Sequence, residues 1–271
     1  MIAALLLAVQ AGSAGFAPPL DRPLRAVTET ARTDAGVTRR FVNARRIVFR
    51  RAGTGYRAEV TIESGAPATA GDDDPAAMFR AGFARIAGRT IVLHLDPDGR
   101  VAAIDDQAAV WKAFLDGIAA LAPAGADVVD RKRAGRIRAI LAAVTPMPPE
   151  RQRATLASLI EPLIAADIAA AGESTPRAVR VPAGSAFGAA QLDGIRAVRR
   201  VGGRLVASVS ATGEVTTRGT QGNVTGRVTL ETLREVDPRS GMVLEARDTV
   251  RTEMAGASPA TRVTVTTIHG P

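Results

Sequence analysis

Two histidines and two aspartate-rich segments are the residues of this chain best suited to metal or proton chemistry. His94 lies in a β-rich segment and His269 lies near the end of the sequence. A zinc or proton-transfer site built on histidine usually draws on a pair at fixed spacing, such as His-x-x-x-His, and no such pair is present. A single histidine on a strand is more often a surface residue. We therefore expect neither histidine to ligate a metal.

The aspartate-rich segments could offer carboxylate oxygens to calcium. The first, Asp72–Asp74, precedes Pro75, and an Asp before a Pro is typical of a helix start. The second, Asp96–Gly99, has the Asp-Pro-Asp-Gly composition of a reverse turn and lacks the bidentate glutamate of a calcium loop. Helix capping and turn formation account for both segments, so no metal is predicted.

The sequence contains no clear candidate for the nucleophile of covalent catalysis. The 271 residues contain no cysteine, which excludes thiol chemistry and disulfides. The Gly-x-Ser-x-Gly and Ser-x-x-Lys patterns are absent, and Gly184-Ser185-Ala186 resembles a nucleophile turn only loosely. The glycine-rich stretch 219–226 lacks the lysine of a phosphate loop. We therefore expect a non-enzymatic protein without a cofactor.

Paired arginines are the remaining charged motif. The formal net charge is +8, and pairs stand at 39–40, 45–46, 50–51 and 199–200. Adjacent residues of a strand point to opposite faces, so one member of each pair at most can join a basic surface. Nucleic-acid binding also favours stacking aromatics, and aromatic residues are 3% of the chain. No nucleic-acid partner is expected.

The N-terminal segment is typical of an exported protein. Residues 2–9 (IAALLLAV) form an apolar run, and small residues follow at Gly12 and Ala14. This arrangement predicts a signal peptide over residues 1–14, with cleavage after Ala14; cleavage after Ala17 is the less favoured alternative. The run is far too short to span a bilayer, and no transmembrane span is expected. The expected location is the periplasm or the extracellular medium.

The mature chain, residues 15–271, is predicted to be a single α+β domain in three parts. Strands are expected over about 20–105, a helical insert over about 106–171 and further strands over about 177–269. The period-2 alternation of apolar and polar residues is clearest in 56–62 and 224–231, as expected for strands with one buried face. Within the first part, a short helix is expected over 76–86.

The helical insert is predicted from apolar residues at helical spacing. Three helices are expected, and the third begins near Pro148, bends at Pro162 and ends at Gly172. Leu159 and Leu163 fall on its apolar face and are predicted to be buried. One-sided strands require a cover for their apolar face, and the insert is the available cover.

The third part contains the segments that carry a family resemblance. These are Gly222-Asn223-Val224-Thr225-Gly226 and then Asp237-Pro238-Arg239-Ser240-Gly241-Met242-Val243-Leu244. They resemble a pattern in bacterial envelope proteins, and the layout is similar to the half-barrel fold of periplasmic lipoprotein carriers. The resemblance implies a curved antiparallel sheet (half-barrel-like) with helices on its concave side, and binding of acyl chains there. No carrier residue is transferred to this chain.

Two functions are compatible with these features. The first is a structural or protein-interaction component of the cell envelope, with an envelope protein as partner. The alternative is a binding or carrier module for an apolar ligand such as a lipid acyl chain. In that case the apolar lining is predicted to come from alternating strand positions, namely Ile91, Leu93, Val228, Leu230, Met242 and Leu244.

Overall fold

The computed structural model describes residues 15–63, 75–122, 128–185, 188–219, 222–254 and 258–270. Within these ranges the chain forms one antiparallel β-sheet of eleven strands together with five α-helices and one 3₁₀-helix. The predicted α+β class with an antiparallel sheet is therefore confirmed. The predicted signal peptide, residues 1–14, and the Asp72–Asp74 segment lie outside the described residues.

The strands occupy both ends of the chain, and their alternating apolar residues explain why they form. They are β1 (Pro23–Asp34), β2 (Val37–Ala52), β3 (Gly55–Ile62), β4 (Thr90–Leu95), β5 (Val101–Ile104), β6 (Ser174–Ser185), β7 (Gly188–Val201), β8 (Arg204–Gly219), β9 (Gly222–Val236), β10 (Val243–Met254) and β11 (Ala260–His269). In β3 the residues at alternate positions are buried, as the period-2 pattern predicts.

The helices lie between β3 and β4 and between β5 and β6. They are α1 (Pro75–Arg85), α2 (Gln107–Ala119), α3 (Val128–Val144), α4 (Pro149–Ala157), the 3₁₀-helix (Glu161–Leu163) and α5 (Ala166–Ala171). The third predicted helix is thus wrong as a single bent element. Ile164 is extended (φ −118°, ψ 127°) and forms an isolated bridge with Met242, so strand-like pairing interrupts the helical periodicity there.

The sheet order is β5-β4-β3-β2-β1-β11-β10-β9-β8-β7-β6. Strands adjacent in sequence pair antiparallel, except β5 and β6, and the contact between β1 and β11 joins the first and last parts of the chain into one sheet. The edge strands of the described sheet are β5 and β6, and the helices α2 to α5 connect them in sequence. Within the described residues β5 and β6 do not pair with each other, so the sheet is open.

Register shows which residues share a face. Leu24 pairs with Ile47 across β1 and β2, and directly opposite residues of an antiparallel pair point to the same side. Thr28 lies on the same side of β1 as Leu24, and it pairs with Thr266, which pairs with Ala246. We call this side the inner face, because it carries most of the buried strand residues.

The buried residues form three core clusters. The first combines strands β1–β5 with residues of the helices and connecting segments, including Leu24, Ile47, Phe49, Ile91, Leu93, Phe114, Leu156, Leu159 and Met242. The second comes from β6–β10 alone: Ala183, Ala190, Leu192, Ala211, Val215, Val228, Leu230, Val250 and Met254. The third joins α5 to the opposite ends of β7–β10 and includes Ile168, Val198, Leu205, Val236 and Val243.

The two Asp-Pro turns close on the same region of the first cluster. The Asp96 carboxylate accepts hydrogen bonds from the backbone N–H groups of Asp98 and Arg100, at 2.9 and 2.8 Å. Gly99 has φ +83°, and a Cβ there would lie 2.9 Å from the Phe16 ring. In the second turn the Ser240 carbonyl accepts a hydrogen bond from the backbone N–H of Ala17 at 2.9 Å. Both turns therefore hold the segment around Phe16 in place.

Candidate functional site

A row of polar side chains crosses the inner face between the apolar clusters. Alternation along β10 illustrates this: Val243 and Ala246 belong to the third core cluster, Val250 and Met254 to the second, and Asp248 lies between them. The cross-strand pairs extend the row through β11 and β1 to β2. We call this set the polar belt; it comprises Thr28, Thr30, Asn43, Arg45, Arg234, Asp248, Arg262, Thr264 and Thr266.

The central part of the belt is a ladder of threonines. The hydroxyls of Thr28 and Thr266 lie 3.0 Å apart, and those of Thr30 and Thr264 lie 3.3 Å apart. Either member of each pair can be the donor, and β-branched threonine suits a strand whose face is partly buried. The hydroxyls bind one another across the β1–β11 junction, with one hydroxyl of each pair donating and the other accepting.

Arg45 is the most deeply buried charged residue of the described chain. Its relative exposure is 5%, and its Nη1 donates to Oγ1 of Thr28 at 3.5 Å, a long hydrogen bond. Its Nε has no partner, and burial alone lowers the pKa of its guanidinium to about 10. Arginine with that pKa remains protonated at neutral pH. The belt therefore contains a buried cation with no carboxylate partner among the described residues.

Next to Arg45 lies a second unsatisfied polar group. Asn43 is two residues away on the same face of β2, and it pairs directly with Thr28 of β1. The Oδ1 atom of Asn43 is buried and lacks a hydrogen-bond partner within the described ranges. Buried polar atoms are nearly always paired in folded proteins, so two orphans in adjacent inner-face positions mark a place suited to an additional polar group.

The other end of the belt is centred on the Asp248 carboxylate. Burial raises its pKa above the ordinary range, while the guanidinium groups of Arg234 and Arg262 lower it in part. Neither Oδ1 of Asp248 nor Nε of Arg234 has a hydrogen-bond partner in the part of the chain described. Arg262 donates from Nη2 to the carbonyl of Gly184 at 3.2 Å, which links β11 to the end of β6. This end of the belt contains a carboxylate that offsets part of its positive charge, whereas Arg45 has no carboxylate partner among the described residues.

Replacing Asp248 by Asn should remove a pH-dependent loss of stability. Its folded-state pKa lies above that of the unfolded chain, so over the interval between the two values the folded state binds more protons. The free energy of unfolding should therefore fall as pH rises through that interval. Urea unfolding from about pH 3 to about pH 7 measures this effect. Asp193→Asn, whose carboxylate is largely exposed, is the control and should keep the wild-type profile. Parallel profiles for wild type and Asp248→Asn would contradict the assignment.

The six residues predicted to line an apolar site are divided by the structure. Ile91, Leu93 and Met242 lie in the first core cluster, packed with helical residues. Val228 and Leu230 lie in the second cluster, beyond the polar belt. Leu244 is only half-buried, because the register shift between Val243 and Glu245 takes it out of the alternation. The structure thus brings together two groups rather than one continuous lining.

The two histidines and the suggested nucleophile turn do not belong to the polar belt. His94 Nε2 lies 2.8 Å from Oδ1 of Asp105 in an exposed pair between β4 and the start of α2. His269 is exposed at the end of β11. No group of three metal-ligating side chains occurs among the described residues. Gly184 lies in β6, whereas Ala186 of the suggested nucleophile turn lies outside the described residues.

The belt residues were only partly visible in the sequence. The argument that one arginine of each pair faces inward applies to Arg45 and Arg46, of which Arg45 is buried and Arg46 exposed. Counting back from Phe49 and Ile47 in steps of two leads to Arg45. Asp248 left a weaker signal, a gap between Ala246 and Val250 in an otherwise apolar alternation.

In the described residues, no helix combines the length and apolarity that crossing a membrane would require. Comparison of the chain with protein-family models, with curated proteins and with solved structures finds no match.

Proposed function

We propose that this protein is a non-enzymatic binding or carrier module that holds an apolar chain, such as a lipid acyl chain, against the inner face of its sheet. In this proposal the sheet curves as a half-barrel and the helices cover part of its concave side. The observation that carries the proposal is the second core cluster, which lies on the inner face and is built from strand residues without any helical residue.

The approach of β6 to β11 supports a curved sheet. These strands are separated by four others in the sheet order, yet the guanidinium of Arg262 binds the carbonyl of Gly184. Such a contact requires the end of β6 to approach the inner face near β11. The second cluster is rich in small side chains, among them Ala183, Ala190 and Ala211. Burial of an acyl chain there would contribute about 25 cal/mol per Å² of apolar surface.

The belt favours binding over catalysis. Its threonine hydroxyls bind one another rather than a general base, and its one carboxylate lies near two arginines. An activated nucleophile needs a base within hydrogen-bond reach. The expected export from the cytoplasm, argued from residues 1–14, is part of the same proposal and suits a carrier of envelope lipid.

Fluorescence of the neutral probe N-phenyl-1-naphthylamine tests the proposal. We expect the purified protein to bind the probe, and Leu230→Asp to weaken binding at least about 10-fold, because a carboxylate in an apolar site must be desolvated. Leu233→Asp is the matched control: it lies three residues along the same strand, on the outer face, and is 40% exposed. It should bind the probe as wild type does.

A second variant tests the same site in case Leu230→Asp does not fold. Ala211 pairs with Leu230 across β8 and β9, and Ala211→Leu fills the same region without adding charge. Circular dichroism establishes whether each variant is folded, and probe binding should again decrease. A wild-type protein that ignores the probe would reject the carrier function. Loss of binding in Leu233→Asp with retention in Leu230→Asp would move the site to the outer face.

An exposed outer-face groove favours the second candidate, a structural or protein-interaction component of the envelope. The groove, about 420 Å³, lies on the outer side of β7–β10. Ile195 and Leu233 both line it and are 57% and 40% exposed. Exposed apolar side chains grouped in a groove are typical of contact surfaces. In this alternative Leu233→Asp would abolish association with a partner and leave the inner face unaffected.

A further inference from the structure

Arg45 is a cation that the described chain does not neutralise. It is nearly excluded from solvent, its hydrogen bond to Thr28 is long, and its Nε is unpaired within the described residues. Burial of an unpaired charge is costly, and natural proteins usually compensate it with a counter-ion. A residue of this kind on the face proposed to hold a ligand indicates that the counter-ion is part of the ligand.

We infer that Arg45 and the adjacent Thr28 bind the oxyanion headgroup, carboxylate or phosphate, of an amphiphile whose apolar chain lies along the inner face. This inference rests on the proposed carrier function and specifies its ligand. The guanidinium presents several N–H donors in a planar fork, which matches the oxygens of either group. The Thr28 hydroxyl accepts from Arg45, and with Thr266 as the donor of the threonine pair its own hydrogen can be donated to the ligand.

The charge distribution along the belt supports an anionic ligand. Its ionisable residues are three arginines and one aspartate, and the aspartate lies near Arg234 and Arg262. Arg45 is on β2 and Asp248 on β10, with β1 and β11 between them. Three strand spacings amount to about 14 Å, too far for an ion pair. Asp248 therefore does not neutralise the positive charge of Arg45.

The surroundings of Arg45 favour an amphiphile over a small free anion. Ala26, directly opposite Arg45 on β1, and Ile47, the next inner-face residue of β2, are both fully buried. An anion entering this position must lose its water, which is unfavourable unless other contacts compensate. Burial of an attached apolar chain on the inner face supplies that compensation. Acetate or inorganic phosphate lacks such a chain and should bind weakly.

Titration calorimetry with ligands of one chain length tests the inference. The probes are dodecanoate, dodecyl phosphate and the neutral dodecanol, with acetate and inorganic phosphate as chain-free controls. We expect wild-type protein to bind the two anionic amphiphiles about 10- to 100-fold more tightly than dodecanol, the range of a charge-assisted hydrogen bond. Arg45→Met should remove this preference, so that the three amphiphiles bind with similar affinity. Arg46→Met, the exposed neighbour, should behave as wild type.

Thermal unfolding without ligand provides a second readout that does not depend on binding. If Arg45 serves a ligand, Arg45→Met removes an uncompensated buried charge and should raise the midpoint of unfolding. A clear decrease would indicate a structural role and overturn the inference. Equal affinity of wild type for dodecanoate and dodecanol would also overturn it, while the carrier function would stand. Failure of all three amphiphiles to bind would reject the carrier function itself. Binding of acetate or inorganic phosphate as tight as that of the amphiphiles would show that the apolar chain does not contribute, and would overturn the inference that the ligand is an amphiphile.

Discussion

Replacing Phe16 by Ala is expected to lower the free energy of unfolding by about 3–5 kcal/mol, as for other large-to-small changes at buried phenylalanines. Phe16 is 2% exposed, and its ring packs edge-on against Phe49 and Tyr56 with centroid distances of 5.6 and 5.3 Å. The Tyr56 hydroxyl also donates to the Phe16 carbonyl at 2.6 Å. Loss of the ring leaves a cavity beside both aromatic partners.

Urea unfolding of three variants measures this effect. Phe16→Leu should fall between wild type and Phe16→Ala, because it retains part of the buried volume. Val42→Ala, at an exposed position of β2, is the control and should change stability by no more than about 0.5 kcal/mol. A Phe16→Ala value no larger than that of Val42→Ala would mean that the segment before β1 does not contribute to the core.

The two predicted cleavage positions differ in whether the mature protein keeps Phe16. Cleavage after Ala14 leaves Phe16 in the mature protein, whereas cleavage after Ala17 removes it. A chain that begins at Gly15 should therefore have the free energy of unfolding of the wild-type chain. A chain that begins at Pro18 should show the decrease in free energy of unfolding that is expected for Phe16→Ala. Retention of Phe16 is a structural reason to favour the first position.

Strands and turns were the features most accessible from sequence, because local chemistry determines them. The Asp-Pro-Asp-Gly segment that begins at Asp96 forms the predicted turn, with Gly99 at positive φ. The third helix was not accessible, because its interruption depends on a distant residue. Ile164 is extended where it bridges Met242, a contact that no local pattern encodes.

The polar belt could be predicted from the sequence only in part, because its residues come together through strand pairing. The alternation around Asp248 can suggest its face, but its proximity to Arg234 and Arg262 follows from the pairing of β10 with β9 and β11. Registers between strands are set by the whole sheet. For the same reason the six predicted lining residues are divided between clusters, since strand periodicity gives a face but not the position along it.

The buried leucines of the 3₁₀ region provide the second large effect. Leu159→Ala should lower the free energy of unfolding by about 2–5 kcal/mol, because Leu159 is 2% exposed and belongs to the first core cluster, which combines strands and helices. Leu163 is also buried, as predicted, although the element around it is a short 3₁₀-helix rather than a long α-helix.

Leu233→Ala makes the Leu159 experiment specific, because it removes the same atoms from an exposed position on β9. It should change stability by no more than about 0.5 kcal/mol. If both variants lose little, the face of the 3₁₀ region is not packed against the strands, and the segment becomes a candidate for ligand- or partner-dependent ordering. If Leu159→Ala alone is strongly destabilised, the helices and strands β1–β5 share one solid core, and an apolar ligand must then bind on the β6–β11 side of the polar belt.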